Sequence, residues 1–385
     1  MKKINFSLND ANTRSWLYQV IILSMIVYVV WYLVDNTLHN LATRNIQTGF
    51  AFLNKEAGFA IGESLIEYNL TDTYWHAIRV GILNTLLVSF VGIVLATLLG
   101  TIIGIARLSA NWLVNKLAAI YVEVMRNIPL LIHLFFWYSL LTENLPGPRQ
   151  ALNPIDGVFL SNRGVKIPAL SGDSVSWMLV GLLFAVIATI ILSFWAKHKQ
   201  NKTGKTTAVF SISLAFWVIF PMLAALLSGW QLDVVKPELK GFNFVNGWHF
   251  SPELAALLLG LVLYTAAFIA EIVRSGIQSV NKGQWEAGES LGLSRLKTLR
   301  LIIMPQAVRV MIPAMSNTFM NFTKNSSLAV AIGYPDIVSI VNTMLTQTGQ
   351  AIEAVMIIML AYFTISISIA VFMAWYNKRM ALVER

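Results

Sequence analysis

The sequence contains no cysteine, only five histidines and little charge: Asp, Glu, Lys and Arg make up 12% of its 385 residues. Without cysteine there is no disulfide framework, no thiolate ligand for zinc and no thiol nucleophile. His39, His76, His133, His198 and His249 are scattered and no HExxH string occurs, so no metal site is expected. A GxSxG string is absent too. The nearest approach to a phosphate loop is Gly204-Lys205-Thr206, but Lys199 stands where that pattern needs a glycine. No catalytic residue and no nucleotide-hydrolysing domain are expected. Soluble domains carry about 25% charged residues. This chain cannot clothe a globular surface in charge, which argues against a disordered chain, a nucleic-acid binder and a secreted disulfide scaffold.

Apolar length is what the chain has. A bilayer core of about 30 Å needs about 20 apolar helical residues. Eight windows qualify: 16–34, 80–108, 117–141, 177–196, 208–227, 253–273, 301–322 and 352–376. The third is interrupted by Glu123, Arg126 and Pro129, and the seventh is the most polar. The first is too long for a signal-peptide core and no small-x-small site follows it, so a retained helix is expected. With eight spans and the N-terminus inside, 17 of the 28 Lys and Arg residues fall in inner connections and tails and 7 in outer ones. That bias puts both termini in the cytoplasm. The net charge of +9 is then largely topology rather than the mark of an acidic ligand. The outer connections, 36–76, 142–175 and 229–252, are long and rich in Asn, Gly, Pro and Ser, either packed on a partner or a plain cap over the helix ends.

Several polar or small residues sit inside these spans. Gly92, Ala96, Gly100 and Gly104 form a ridge at four-residue spacing, suited to close helix packing. Asn84 and Thr85, near the outer end of the same span, are candidate pathway residues. Glu123 with Arg126, and Glu271 with Arg274, are spaced i, i+3 and share a helical face. Each pair suits a self-neutralising clamp; the first can instead line a pathway, and the second can reach across to Arg126 or Glu123. Pro129 predicts a kink. In the seventh window Pro305, Arg309, Pro313, Asn317, Asn321 and Asn325 recur every four residues. At ~100° per residue, Pro313, Asn317, Asn321 and Lys324 fall within roughly 80° of one another. Lipid does not tolerate such a stripe, so it faces protein or water. Helix–helix hydrogen bonding is one reading. Two prolines and a cation favour the other, a solute pathway that includes Arg309, in which Asn317 and Asn321 bond the solute and Lys324 attracts a carboxylate.

Between the sixth and seventh windows, a turn at Gly283 leads into a short helix from about Gln284 to Leu291, with Glu286 and Glu289 early in it and Gly292 as its stop. Glu286-Ala287-Gly288, three residues, Gly292, nine residues, Ile302, one residue and Met304-Pro305 resemble the EAA loop of bacterial ABC importer permeases. Gly288 and Met304 depart from the usual Ala and Leu. Asn84-Thr85-Leu86, Glu123 to Leu131, Glu271 to Gly283, Leu291 to Ser294, Pro305-Gln306-Ala307 and Ser326-Ser327-Leu328 resemble the polar-amino-acid importers of that family. Ile105 to Ser109, Arg126 to Leu131 and Leu134 to Tyr138 resemble its general L-amino-acid type most.

The resemblance spans the chain and implies an all-α polytopic membrane protein. A five-helix permease core carries an added first helix and an inserted helical hairpin. It implies four segments: 1–76 as tail, first helix and periplasmic loop; 77–141 as core helices one and two; 142–252 as loops and hairpin; 253–385 as core helices three to five with the coupling loop at about 283–305. Glu286, Ala287, Gly288, Gly292, Leu293 and Pro305 would meet an ATPase there. The implied partners are a second permease subunit, two copies of a cytoplasmic ATP-binding subunit holding ATP and Mg, a periplasmic amino-acid-binding protein, and the bacterial inner membrane. The substrate is an L-amino acid, and no cofactor is bound by this chain. A secondary transporter driven by an ion gradient is the alternative, and it predicts internal repeats and midplane carboxylates. No internal repeat is visible and central carboxylates are few.

Overall fold

The computed structural model describes residues 11–43, 49–204 and 207–380. Among these, seven helices are long and apolar enough to cross a membrane, or eight if one sharply bent pair is a single span. They are α1 (Ala11–Thr43), α2 (Tyr74–Ala106), the pair α3 (Trp112–Asn127) and α4 (Leu130–Glu143), α5 (Asp173–Thr203), α6 (Val209–Leu227), α7 (Pro252–Gln278), α10 (Met304–Asn325) and α12 (Ala351–Met380). Shorter helices are α8 (Lys282–Ser290), α9 (Arg295–Thr298) and α11 (Ile337–Thr348). The expected kink at Pro129 is a full break: α3 and α4 meet at 103°, with Pro129 as the N-cap of α4. Pro129 has no N–H for α3 to use, and its ring turns Ile128 into extended backbone.

The chain forms two compact units. One comprises the described residues up to Leu87 together with Pro335–Arg379. Its core joins Phe52, Tyr74, Ile78, Ile337, Val341 and Met344. The segment before α2 is tied down by the Gly49 N–H donating to Glu353 Oε1 at 2.6 Å and by Tyr74 donating to Gln347 Oε1 at 2.9 Å. Asp336 caps α11, its Oδ1 accepting from the Ser339 N–H at 2.8 Å.

The other unit runs from Val88 to Tyr334. Its core draws on the rest of α2, on α4, α7 and α10, and on the turn that follows α10. The small-residue ridge does what its spacing predicts. A Cβ at Gly100 would lie 2.7 Å from the Ala266 carbonyl oxygen, and one at Gly104 2.7 Å from that of Ala270, so the backbones of α2 and α7 touch. Helices α5 and α6 form a hairpin closed by the Ser174 and Ser228 hydroxyls at 2.6 Å, and neither contributes to that buried core.

The loops flanking this hairpin are more ordered than their composition suggests. Strands β1 (Leu152–Ile155), β2 (Val158–Ser161), β3 (Gly164–Ile167) and β8 (Trp248–Phe250) form an antiparallel sheet in that order. Two further two-stranded antiparallel sheets pair β4 (Ala169–Ser171) with β5 (Asp233–Val235), across the α5–α6 hairpin, and β6 (Glu238–Lys240) with β7 (Asn243–Val245). Strand β8 brings residues on both sides of the α5–α6 hairpin into one sheet.

Candidate functional site

The loop between α7 and α10 is built from α8 outward. Helix α8 starts two residues before the expected position, because Asn281 caps it: its Oδ1 accepts from the Gly283 N–H at 2.8 Å. It stops where expected. The Leu293 N–H donates to the Gly288 carbonyl at 3.1 Å, the Gly292 N–H donates to that of Glu289 at 2.9 Å, and Gly292 has φ +68°. This six-to-one and five-to-two pattern is the Schellman motif, which favours glycine at its left-handed position.

Two inward residues seat the helix. Trp285 packs on the core with the Arg295 guanidinium 6.0 Å from its ring centre, and Gly288 is buried. A Cβ on Gly288 would lie 2.5 Å from Thr298 Cγ2. The glycine that departs from the family pattern thus makes room for a buried threonine. Glu286, Ala287, Glu289 and Ser290 remain exposed on the outward face.

From Thr298 the chain passes through one π-helical turn (Leu299–Ile303) into α10, the Met304 N–H reaching back five residues to the Leu299 carbonyl. Pro305 follows at once, exposed and without an N–H, so it cannot continue the regular ladder. Gln306 ties this junction to α8, donating to Gln284 Oε1 at 3.2 Å.

Helix α10 has two unlike faces. Met311, Ile312, Phe322 and Thr323 are buried, and Met315 and Phe319 pack against the core. Pro313, Asn317, Asn321 and Lys324 are exposed, as their spacing predicts for one stripe. Arg309 is half-buried, with its Nε buried and unbonded among the described residues, and Asn325 is half-buried beyond the stripe.

Other expected site residues fall elsewhere. Asn84 and Thr85 line no open space. Asn84 is buried and its Nδ2 donates to the Glu63 and Pro335 carbonyls, each at 2.9 Å. Thr85 donates to the Gly81 carbonyl at 2.8 Å and accepts from the Ile337 N–H at 3.1 Å. Backbone groups take the Asn84 Nδ2 and the Thr85 hydroxyl, so both side chains staple segments of this unit together.

Glu123 and Arg126 do not pair with each other either: Arg126, in the last turn of α3, lies over the Phe268 ring at 5.1 Å, and Glu123 is exposed. Glu271 and Arg274 do pair. The cross-helix partner of Glu271 is Arg107, just past α2, and not Arg126. In the sequence Arg107 is one of the inner-connection charges and falls in the Ile105 to Ser109 stretch, with no partner indicated. Its one signal was position: it follows Gly104 by three residues, on the ridge that brings α2 against α7.

The chain matches the family model described as binding-protein-dependent transport system inner membrane component over residues 194–382. It is 48% identical, over all of its length and 98% of the relative's, to YhdX of Escherichia coli, whose name describes an amino-acid ABC transporter permease protein. It is 45% identical to the general L-amino acid transport system permease protein AapQ of Rhizobium johnstonii, covering 98% of this chain and 94% of that one. The glutamate/glutamine/aspartate/asparagine transport system permease protein BztB of Rhodobacter capsulatus is 38% identical, covering 100% of this chain and 97% of that one.

Proposed function

The chain belongs to the family of binding-protein-dependent transport system inner membrane components, as a permease subunit of an amino-acid ABC importer, and on that premise we propose that the exposed stripe of α10 lines the route of an L-amino acid. The observation that carries this is the two-faced α10. Pro313, Asn317, Asn321 and Lys324 are exposed on a span whose other face is buried. Against lipid, two amides and an ammonium would stand without partners. Along a route, Asn317 and Asn321 bond the passing solute and Lys324 draws its carboxylate. A second permease subunit facing the stripe encloses the route.

Energy comes from a separate chain. The sequence holds no phosphate loop, and the outward face of α8 offers Glu286 and Ala287 as a handle. Two copies of a cytoplasmic ATP-binding subunit, holding ATP and Mg, dock on α8 and its counterpart in the second permease. A periplasmic binding protein delivers the amino acid. The inner-side excess of Lys and Arg supports cytoplasmic termini.

Uptake into proteoliposomes containing the assembled transporter and its binding protein tests both parts. Asn317→Ala with Asn321→Ala lowers uptake and alters competition within a panel of amino acids; unchanged uptake and selectivity reject the route. Glu286→Ala lowers binding-protein-stimulated ATP hydrolysis at equal membrane insertion, and normal stimulation rejects docking on α8.

A further inference from the structure

A cavity of about 750 Å³ opens where the last turn of α2, the following loop, the end of α7 and the α8–α9 segment meet. Ile102, Ile105, Leu108, Val114, Ile277 and Leu299 make its walls apolar. Its rim is different. Lys282 and Arg295 both line the opening, both are exposed, and neither forms an ion pair among the described residues. Trp285 lines the same cavity, with the Arg295 guanidinium 6.0 Å from its ring centre.

The nearby carboxylates do not answer these cations. Glu271 is taken by Arg107 and Arg274, and Glu286 and Glu289 are exposed on α8 and do not line the cavity. An occupant must therefore combine an apolar body with an anionic head. The cavity lies where two membrane spans end, at the depth where a bilayer offers such molecules.

We propose that this cavity holds an acyl chain of an anionic phospholipid, with Lys282 and Arg295 holding its phosphate. The site concerns α2, α7 and α8 and is independent of the α10 route. Only the naming of the leaflet, cytoplasmic, rests on the orientation proposed above. A bound lipid here packs against the seat of α8, so membrane composition acts on α8 through Trp285.

Native mass spectrometry of the full chain in its assembly tests this, after release from nanodiscs of equal phosphatidylglycerol and phosphatidylcholine. The wild type retains phosphatidylglycerol with a preference of about tenfold, as expected for two cations near an anionic head. Lys282→Gln with Arg295→Gln brings that preference close to one. Lys282→Arg with Arg295→Lys keeps it, and so does the distant control Lys197→Gln with Lys202→Gln. Ala106→Phe, which fills the cavity with both cations in place, also removes the adduct, so the test survives if the Gln variant fails to assemble. Equal retention of the two lipids by the wild type, or a preference that outlasts the Gln pair, overturns the proposal. So does a photo-crosslinker at Leu296 that captures a partner polypeptide rather than lipid.

Discussion

Arg107, one residue past the end of α2, is ion-paired with Glu271 on α7, and Arg274 holds the same carboxylate from one turn further along. Both ends of the cross-helix pair are largely covered, at 17% and 27% side-chain exposure. It closes the seam that Gly100 and Gly104 open for backbone contact.

A double-mutant cycle with Arg107→Gln and Glu271→Gln should give a coupling of about 2 kcal/mol, below the full value for a buried pair because both groups keep some solvent contact. The same cycle with Arg126→Gln should give a clearly smaller coupling, since Arg126 acts on Glu271 through space without an ion pair. Thermal unfolding of the purified full chain in detergent measures both, and equal couplings would contradict the geometry.

In the α8–α9 loop, Gly288→Ala should destabilise the seat of α8 by about 2 kcal/mol, since its new Cβ meets Thr298. Adding Thr298→Ala should restore stability and bring the loop closer to the usual family pattern. Proteolysis of the 283–305 segment in the two variants reads this directly. If Gly288→Ala alone is silent, Thr298 is not packed as described.

For transport, Lys324→Gln should raise the substrate concentration needed for half-maximal uptake by roughly tenfold, the equivalent of one charge-assisted hydrogen bond. Lys324→Arg should lose much less. Comparison with an amino-acid analogue whose carboxylate is amidated should remove most of the difference between wild type and Lys324→Gln.

Asp336 predicts a pH dependence. Burial pushes its carboxyl up to about 7, against the opposing pull of the Ser339 N–H and the Tyr362 hydroxyl, which donates to Oδ2 at 3.3 Å. A carboxyl raised on folding is protonated in the native state where the unfolded chain is already ionised. Its contribution to stability is therefore complete below about pH 4 and is lost as pH rises through about 7. Asp336→Asn keeps the cap acceptor and should remove that decline. Melting temperatures from pH 4 to pH 8 test it, and parallel curves for the two proteins would count against the assignment.

How far each feature could be read in advance depended on its range. The Schellman stop at Gly292 needs only six consecutive residues, and it was legible. So was the α10 stripe, because a helical period places Pro313, Asn317, Asn321 and Lys324 on one side whatever surrounds them. The bonds of Asn84 and Thr85 were not legible, because polarity inside a span has two outlets, a route or a backbone group. The groups that bond them, at Glu63, Pro335 and Ile337, come from distant parts of the chain. The strands of the loops flanking α5 and α6 were missed for the same reason: each is three or four residues long, and β3 finds β8 only across the α5–α6 hairpin.

The sequence by itself determined the medium, the spans, the charge bias and the periodic faces, since these follow from hydropathy and from a helical repeat acting over a few turns. Tertiary structure alone decided which partner Glu271 takes, that α3 and α4 turn through 103° at Pro129, and that Gly288 is the seat of Thr298. Each of those depends on atoms from separate segments coming within a few ångströms, and no local pattern carries that distance.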